Sequence, residues 1–215
     1  MSQLSADPAD VAPRRRYRSP HRAQQAERTR AAVIAAATRL FTADGWAATG
    51  MRDIAREAGV ATETVYAHFS SKTGLFQQAM DVAVVGDAAL VPLAGRPEFT
   101  AVGQGTRADR IAGAALLVTE VHQRTAGFAK ALREAASSDG AIAEMLKATR
   151  ERQRRDIAAG AEAVMGRKPT PRERDGLWAL LSVEVYVLLV EESGWSNKKY
   201  KAWVAEMLER HIPSS

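Results

Sequence analysis

The sequence contains no cysteine, and only 6% of its 215 residues are Phe, Trp or Tyr. Without thiols the chain forms no disulfide, no cysteine-ligated zinc site and no thiolate nucleophile. An oxidising compartment is neither required nor excluded, and a cytoplasmic protein is the expectation. Its four histidines, His21, His68, His122 and His211, are scattered with no metal-ligand spacing, and no Gly-rich phosphate loop or nucleophile elbow is present. With the carboxylates spread over charged helix faces, the expectation is no metal, no cofactor and no catalysis. Long apolar runs are also missing. The opening "MSQLSADPADVAPRRRYRSPHR" offers no signal-peptide core. The most apolar stretch, "LWALLSVEVYVLLVEE", is interrupted by Ser182 and Glu184, short of the roughly 18 to 20 residues of a membrane span.

What is present is 46% hydrophobic residues, enough for one large domain or a small one joined to a larger one. The charge is uneven. The chain carries 30 basic and 25 acidic residues for a net +5, but positions 11 to 30 alone hold seven Arg against one Glu, a net of +6. Beyond position 80 the count is nearly balanced, 19 basic against 18 acidic. A segment rich in Arg, Pro and Ser cannot bury enough surface to fold alone. Residues 1–21 are read as a disordered basic arm, either a solvated tail or an electrostatic arm for phosphates.

Helical patterning begins near Arg22. In "AERTRAAVIAAATRLFTADGW", Val33, Ala37, Leu40 and Phe41 recur at spacings of three and four and Gly45 stands at a C-terminal cap position. "ATGMRDIAREAGV" predicts a short helix with Thr49 or Gly50 as N-cap, an apolar side of Met51, Ile54, Ala55 and Ala58, and Gly59 as its end. "ATETVYAHF" predicts another, capped by Thr62, and "SSKTGLFQQAMDVAVV" opens a fourth from Ser70 or Ser71. Two short helices about a glycine turn form a helix-turn-helix layout. The third helix raises the functional question. At 100° per residue only Val65 and Phe69 share its buried side, whereas Glu63, Thr64, Ala67 and His68 sweep the other and Tyr66 lies at the edge. So lightly anchored a helix, with short or hydrogen-bonding side chains outward, suits either the DNA major groove or a solvated surface where Tyr66 is amphipathic packing.

The run "TGMRDIAREAGVATETVYAHFSSKTGLF", preceded by "RLFTADGWAAT", resembles the DNA-binding domain of the TetR (tetracycline-repressor) family of bacterial transcriptional regulators. The likeness rests on Phe41, Gly45, Ile54, Ala55, Gly59, Val60, Thr64, Tyr66, His68, Phe69, Ser71, Lys72 and Leu75 at fixed spacing. It implies an all-α fold: an N-terminal three-helix helix-turn-helix domain over residues 22–70, and a larger helical effector-binding and dimerisation domain over 71–215. It further implies DNA contacts from Thr62, Glu63, Thr64, Tyr66, Ala67 and His68, from Thr49, Gly50 and Arg52 beside the second helix, and a phosphate contact from Lys72. Glu63 departs from the Gly or basic residue common there. It is either a first-turn helix stabiliser, the reading favoured, or a specificity element paired with Arg52 or Arg56.

The remaining sequence reads as helices: a breaker-rich loop, "VPLAGRPEFTAVGQGT", then "RADRIAGAALLVTEVHQRT", "AGFAKALREAAS" and "GAIAEMLKATRERQRRDIAAGAEAVMG". Arg150, Arg152, Arg154 and Arg155 are interspersed with Glu151 and Asp156 and read as a solvated face. "TPRERDGLWALLSVEVYVLLVEES" has Thr170, Pro171 and Glu173 as a helix start, and its apolar residues surround more of a helix than one core contact needs. With the stripe Tyr200, Trp203, Val204, Met207 and Leu208, it suggests either a two-fold dimer interface or a larger monomer core; the TetR resemblance favours a homodimer joined through the last two helices, about residues 171–212. Glu120, His122, Trp178, Glu184 and Tyr186 are candidate lining residues for an unidentified small-molecule effector. The TetR resemblance implies a repressor that binds a palindromic operator as a homodimer and is released by the effector. The alternative is a helical small-molecule-binding or protein-interaction module without specific DNA binding, against which the basic Arg52, Lys72 and arm argue.

Overall fold

The computed structural model describes residues 20–87 and 93–212; nearly all of the basic arm lies outside them. Among the described residues every regular element is helical. Helix α1 (Pro20–Ala48) is Ala-rich and buries Val33, Ile34, Ala36, Ala37 and Phe41 on one face. Gly45, at φ 79°, kinks its last turn, a conformation only glycine adopts without strain. Helix α2 (Met51–Ala58) follows, with Gly50 at its N-cap and Gly59 left-handed at φ 68° after its end. The turn to α3 (Thr62–His68) is three residues long.

Helix α4 (Lys72–Val85) starts at Ser71, whose hydroxyl accepts from the Gly74 amide at 3.0 Å. Two expectations at these starts change. Ala61, not Thr62, precedes the first turn of α3, with no side-chain cap, because Val60 hydrogen-bonds back to Ala55 and closes the turn early. Within the breaker-rich stretch, the described residues form a 3₁₀ turn at Leu93–Gly95 and a short helix α5 (Pro97–Ala101) rather than plain loop. Pro97 presets the first helical φ, and Arg96 is held to Asp87 by two bonds of 2.6 and 2.8 Å.

Helix α6 (Arg107–Ala135) is one 29-residue helix where the sequence suggested two. Gly127 does not break it; the missing side chain admits α1 instead, since a Cβ there would stand 2.6 Å from that of Thr42. Helix α7 (Gly140–Met165) matches its predicted span. The next predicted helix is interrupted: α8 (Pro171–Leu180) stops, Ser182 restarts α9 (Val183–Tyr186), and the chain continues as a π-helical segment over Val187–Glu192. Helix α10 (Asn197–His211) closes the fold.

Two hydrophobic clusters organise these elements, and α6 belongs to both. Phe41, Ile54, Val65, Phe69, Leu75 and Phe76 pack with Phe128 and Leu132 in the first. There the rings of Phe41, Phe76 and Phe128 meet edge-on at 4.9 and 5.3 Å, a favoured aromatic geometry. Ile111, Leu177, Tyr186, Tyr200 and Val204 build the second. The helix-turn-helix therefore rests directly on the helix that runs through the rest of the molecule.

Candidate nucleic-acid interface

Helix α3 is held by its two predicted anchors, Val65 at 0% and Phe69 at 2% exposure. Each such burial is worth roughly 2 kcal/mol, enough to seat a seven-residue helix that has little stability of its own. The opposite side is open. Tyr66 is 53% exposed, Glu63 and Ala67 are exposed, and Thr62, Thr64 and His68 are half-buried at the flanks.

The neighbouring candidates divide by orientation. Arg52 is exposed and Gly50 half-buried, so both lie beside the open side of the motif. Thr49 faces inward: it is 2% exposed, and its hydroxyl donates to the Gly45 carbonyl at 2.8 Å. It fixes the turn that brings α2 into place. Asp53 accepts from the Gly50 amide at 3.1 Å and from Arg56 at 2.6 Å, so Arg56 is engaged by Asp53. These bonds hold the Asp53 carboxyl below the usual range, the Arg56 contact acting most strongly.

Lys72 reaches back to the end of α1. Its ammonium donates to the Trp46 carbonyl at 2.5 Å and lies 4.1 Å above the Trp46 ring. Burial lowers its pKa, while the Asp139 carboxylate opposes that shift. A lysine fixed at the first turn of α4 adds its charge to the positive end of that helix dipole, which together make a phosphate-attracting corner.

A cavity of about 630 Å³ lies behind this head, between α4, α6, α7 and α8. Its volume falls within the usual range of ligand sites. Of the predicted lining residues, His122, Trp178 and Glu184 are on its wall. Glu120 is exposed on another side of α6, and Tyr186 packs in the core, its hydroxyl donating to Asn197 at 2.8 Å. His122 is neutral. Burial lowers its pKa to about 4, against an opposing contact with the Leu181 backbone, and its Nδ1 pairs with the Tyr200 hydroxyl at 3.0 Å.

Sequence reasoning missed Arg30, Gln78 and Thr149, all on the cavity wall. Arg30 of α1 donates to Gln78 of α4, tying the head to the cavity. Arg30 lies in the segment read as DNA-binding, Gln78 at the start of the one read as effector-binding, and Thr149 beside a charged run read as solvated.

Three arginines of that run are engaged: Arg150 with Glu184 at 3.5 Å, Arg152 with Asp81 at 2.9 Å, and Arg154 with Asp175 at 2.6 Å. Among the described residues no three His, Asp or Glu side chains gather as a metal site. No described helix is long and apolar enough to cross a membrane.

Comparison with known proteins converges on the same segment. Residues 33–79 match the family model described as bacterial regulatory proteins, tetR family. The chain is 43% identical over 58 residues to the HTH-type transcriptional regulator TtgR of Pseudomonas putida, a stretch covering 27% of this chain and 28% of that protein. The sequence match thus spans little more than a quarter of the curated relative's length.

The likeness in fold reaches much further. A member of the TetR family from Streptomyces coelicolor A3 superposes with TM-score 0.59 at 21% identity, covering 86% of this chain and 99% of the other. NalD, the secondary repressor of the MexAB-OprM multidrug efflux pump in Pseudomonas aeruginosa, does so with TM-score 0.57 at 20% identity, covering 87% and 98%.

Proposed function

Since the chain belongs to the TetR family of bacterial regulatory proteins, we propose that it is a cytoplasmic transcriptional repressor that binds a palindromic operator as a homodimer and is released by a small molecule. The observation that carries the reading is α3 itself: a helix fixed by two buried residues and open on its other side, with Tyr66 foremost and Arg52 and Lys72 beside it.

In this reading residues 22–70 are the DNA-reading unit and 71–215 the effector-binding and dimerisation unit. Thr62, Glu63, Thr64, Ala67 and His68 read base edges. Tyr66, Arg52, Lys72 and the Gly50 backbone engage phosphates, which set register and supply the salt-dependent affinity. Thr49 contributes by holding the turn. The partner surface is formed by about residues 171–212, where Leu188 of the π-helical segment is 52% exposed and Trp195, in the connection to α10, lies edge-on to Trp203 at 6.4 Å. Two copies related by a two-fold axis present two reading helices to two half-sites.

Release follows from what α4 touches. Arg124 of α6 donates to the Ala83 and Val84 carbonyls at 2.8 and 3.0 Å, and Arg152 of α7 pairs with Asp81. At its other end α4 supplies Leu75 and Phe76 to the core of the head. An effector that prefers a shifted α4 changes the spacing of the two heads, and lowers operator affinity by its differential affinity for the two states.

The test is a salt-dependent titration of the protein against DNA from upstream of its own coding sequence, with an unrelated duplex of equal length as control. Tight binding to the upstream fragment alone, falling linearly with log salt, is expected. Equal affinity for both duplexes, with no preferred site elsewhere in the genome, would overturn it.

A further inference from the structure

The cavity wall carries two hydrogen-bond donors that the protein leaves unused. Thr149 of α7 is 9% exposed and its hydroxyl has no partner; the indole N–H of Trp178, on α8, is buried and equally unpaired. The threonine is unusual for this fold. Thr42, Thr100, Thr119 and Thr125 each return their hydroxyl to the carbonyl four residues back, at 2.7, 3.1, 2.7 and 2.8 Å. The Trp178 ring is fixed by Arg154, whose guanidinium carbon lies 4.9 Å from its centroid. A buried donor without an acceptor is destabilising, and such groups in a concave apolar site mark the positions where a ligand supplies the missing atom.

Most charged groups on the same wall are paired with opposite charge, and Arg30 is hydrogen-bonded to a neutral amide. Arg152 is held by Asp81 and Arg150 by Glu184, Arg30 donates to Gln78, and Asp87 receives both arms of Arg96. Burial pushes the Asp156 carboxyl up, and Arg152 and Arg155 oppose that shift. An anionic ligand would have to displace a carboxylate from Arg150 or Arg152, or break the Arg30–Gln78 bond that ties α1 to α4. A cationic one would have only a half-buried carboxyl already facing two arginines.

We propose that the effector is an uncharged, mainly apolar molecule carrying a hydrogen-bond acceptor oxygen, which receives the Thr149 hydroxyl and the Trp178 indole N–H. The inference rests on the reading of this cavity as the effector site. The apolar side chains around it, among them Val84, Leu117, Val121 and Ile157, bind the body of the molecule without direction. The two donors set its orientation and select its oxygen.

The test uses four probes of one shape, 2-acetylnaphthalene, 2-ethylnaphthalene, 2-naphthoate and 2-naphthylmethylamine, titrated calorimetrically into the full chain. The ketone is expected to bind about tenfold more tightly than the hydrocarbon and both ions, the gain of satisfying buried donors. Thr149→Val and Trp178→Phe each delete one donor while keeping most of the shape. Each should cut the ketone-to-hydrocarbon ratio several-fold, and the double variant should bring it close to one. A general loss of packing would lower both affinities together and leave that ratio unchanged.

Tightest binding of naphthoate or the amine, no binding of the ketone, or a ketone preference untouched by both substitutions would each overturn the proposal. Operator affinity is measured in parallel with each probe. A ketone that binds through the two donors but leaves operator affinity unchanged would sink the release mechanism and leave the ligand class standing.

Discussion

Gly127 of α6 faces Thr42 of α1 so closely that a Cβ added to the glycine would stand 2.6 Å from the threonine Cβ and 3.1 Å from its Cα. Because one of those atoms is backbone, no rotamer change relieves the clash. Gly127→Ala should gain about 1 kcal/mol of helix propensity and lose more than that to overpacking, which costs roughly 1 to 3 kcal/mol. A net fall in melting temperature of a few degrees is expected by scanning calorimetry, at about 2 to 4 °C per kcal/mol for a chain of this size. An unchanged or raised melting temperature would mean that α1 can move away freely.

That crossing was invisible in the sequence for a physical reason. Glycine inside a helical pattern reads locally as a weak point or an end, and only the tertiary approach of α1 reveals why α6 continues through it. By contrast, the helix-turn-helix is specified locally. Gly59 provides the left-handed turn, Ser71 caps α4, and Val65 with Phe69 sets which side of α3 is buried. The interruption at Leu181 and Ser182 was concealed because isolated polar residues such as Ser182 and Glu184 in an apolar run fit one face of a straight helix as well as a broken one. Of the cavity residues, His122 and Trp178 stood out as polar or aromatic among apolar neighbours. Thr149 did not, because its neighbours in sequence are charged and point elsewhere.

Substitutions on the open side of α3 separate DNA binding from folding. Tyr66 is 53% exposed, so Tyr66→Ala should change stability by no more than about 0.5 kcal/mol while weakening operator binding. Lys72→Ala should weaken binding to all duplexes and lower the slope of log affinity against log salt by about one per protomer. It should also cost about 1 kcal/mol of stability, because the Trp46 carbonyl loses its donor. Operator affinity equal to that of the native protein in both variants, across a salt series, would place the DNA contact elsewhere.

Leu188 tests the pairing surface. It is 52% exposed on the π-helical segment, with Val185 and Leu189 half-buried nearby. Leu188→Arg would place two like charges near the two-fold axis, where each would be buried without a partner. Sedimentation velocity should then show a shift from dimer to monomer, with operator affinity falling because a single head meets a single half-site. A variant that stays dimeric would move the interface off this segment.

The His122–Tyr200 pair predicts how stability depends on pH. The two side chains are buried and meet at 3.0 Å, and burial lowers the His122 pKa to about 4 from the ordinary value of 6.5. Between these values the unfolded chain binds a proton that the folded chain refuses. Stability is therefore complete above about pH 6.5 and declines as the pH falls toward 4, by an amount on the order of 3 kcal/mol. Tyr200→Phe should cost about 1 to 2 kcal/mol at neutral pH by leaving the imidazole nitrogen unpaired, and it keeps the acid limb because the histidine remains buried. His122→Phe should flatten the limb between pH 4 and 6.5, leaving the carboxylates to govern what remains at lower pH. Urea melts of the three proteins at pH 7.5, 6 and 5 measure this directly. A limb of equal size in His122→Phe would show that other groups carry the acid sensitivity and that the cavity histidine does not titrate with unfolding.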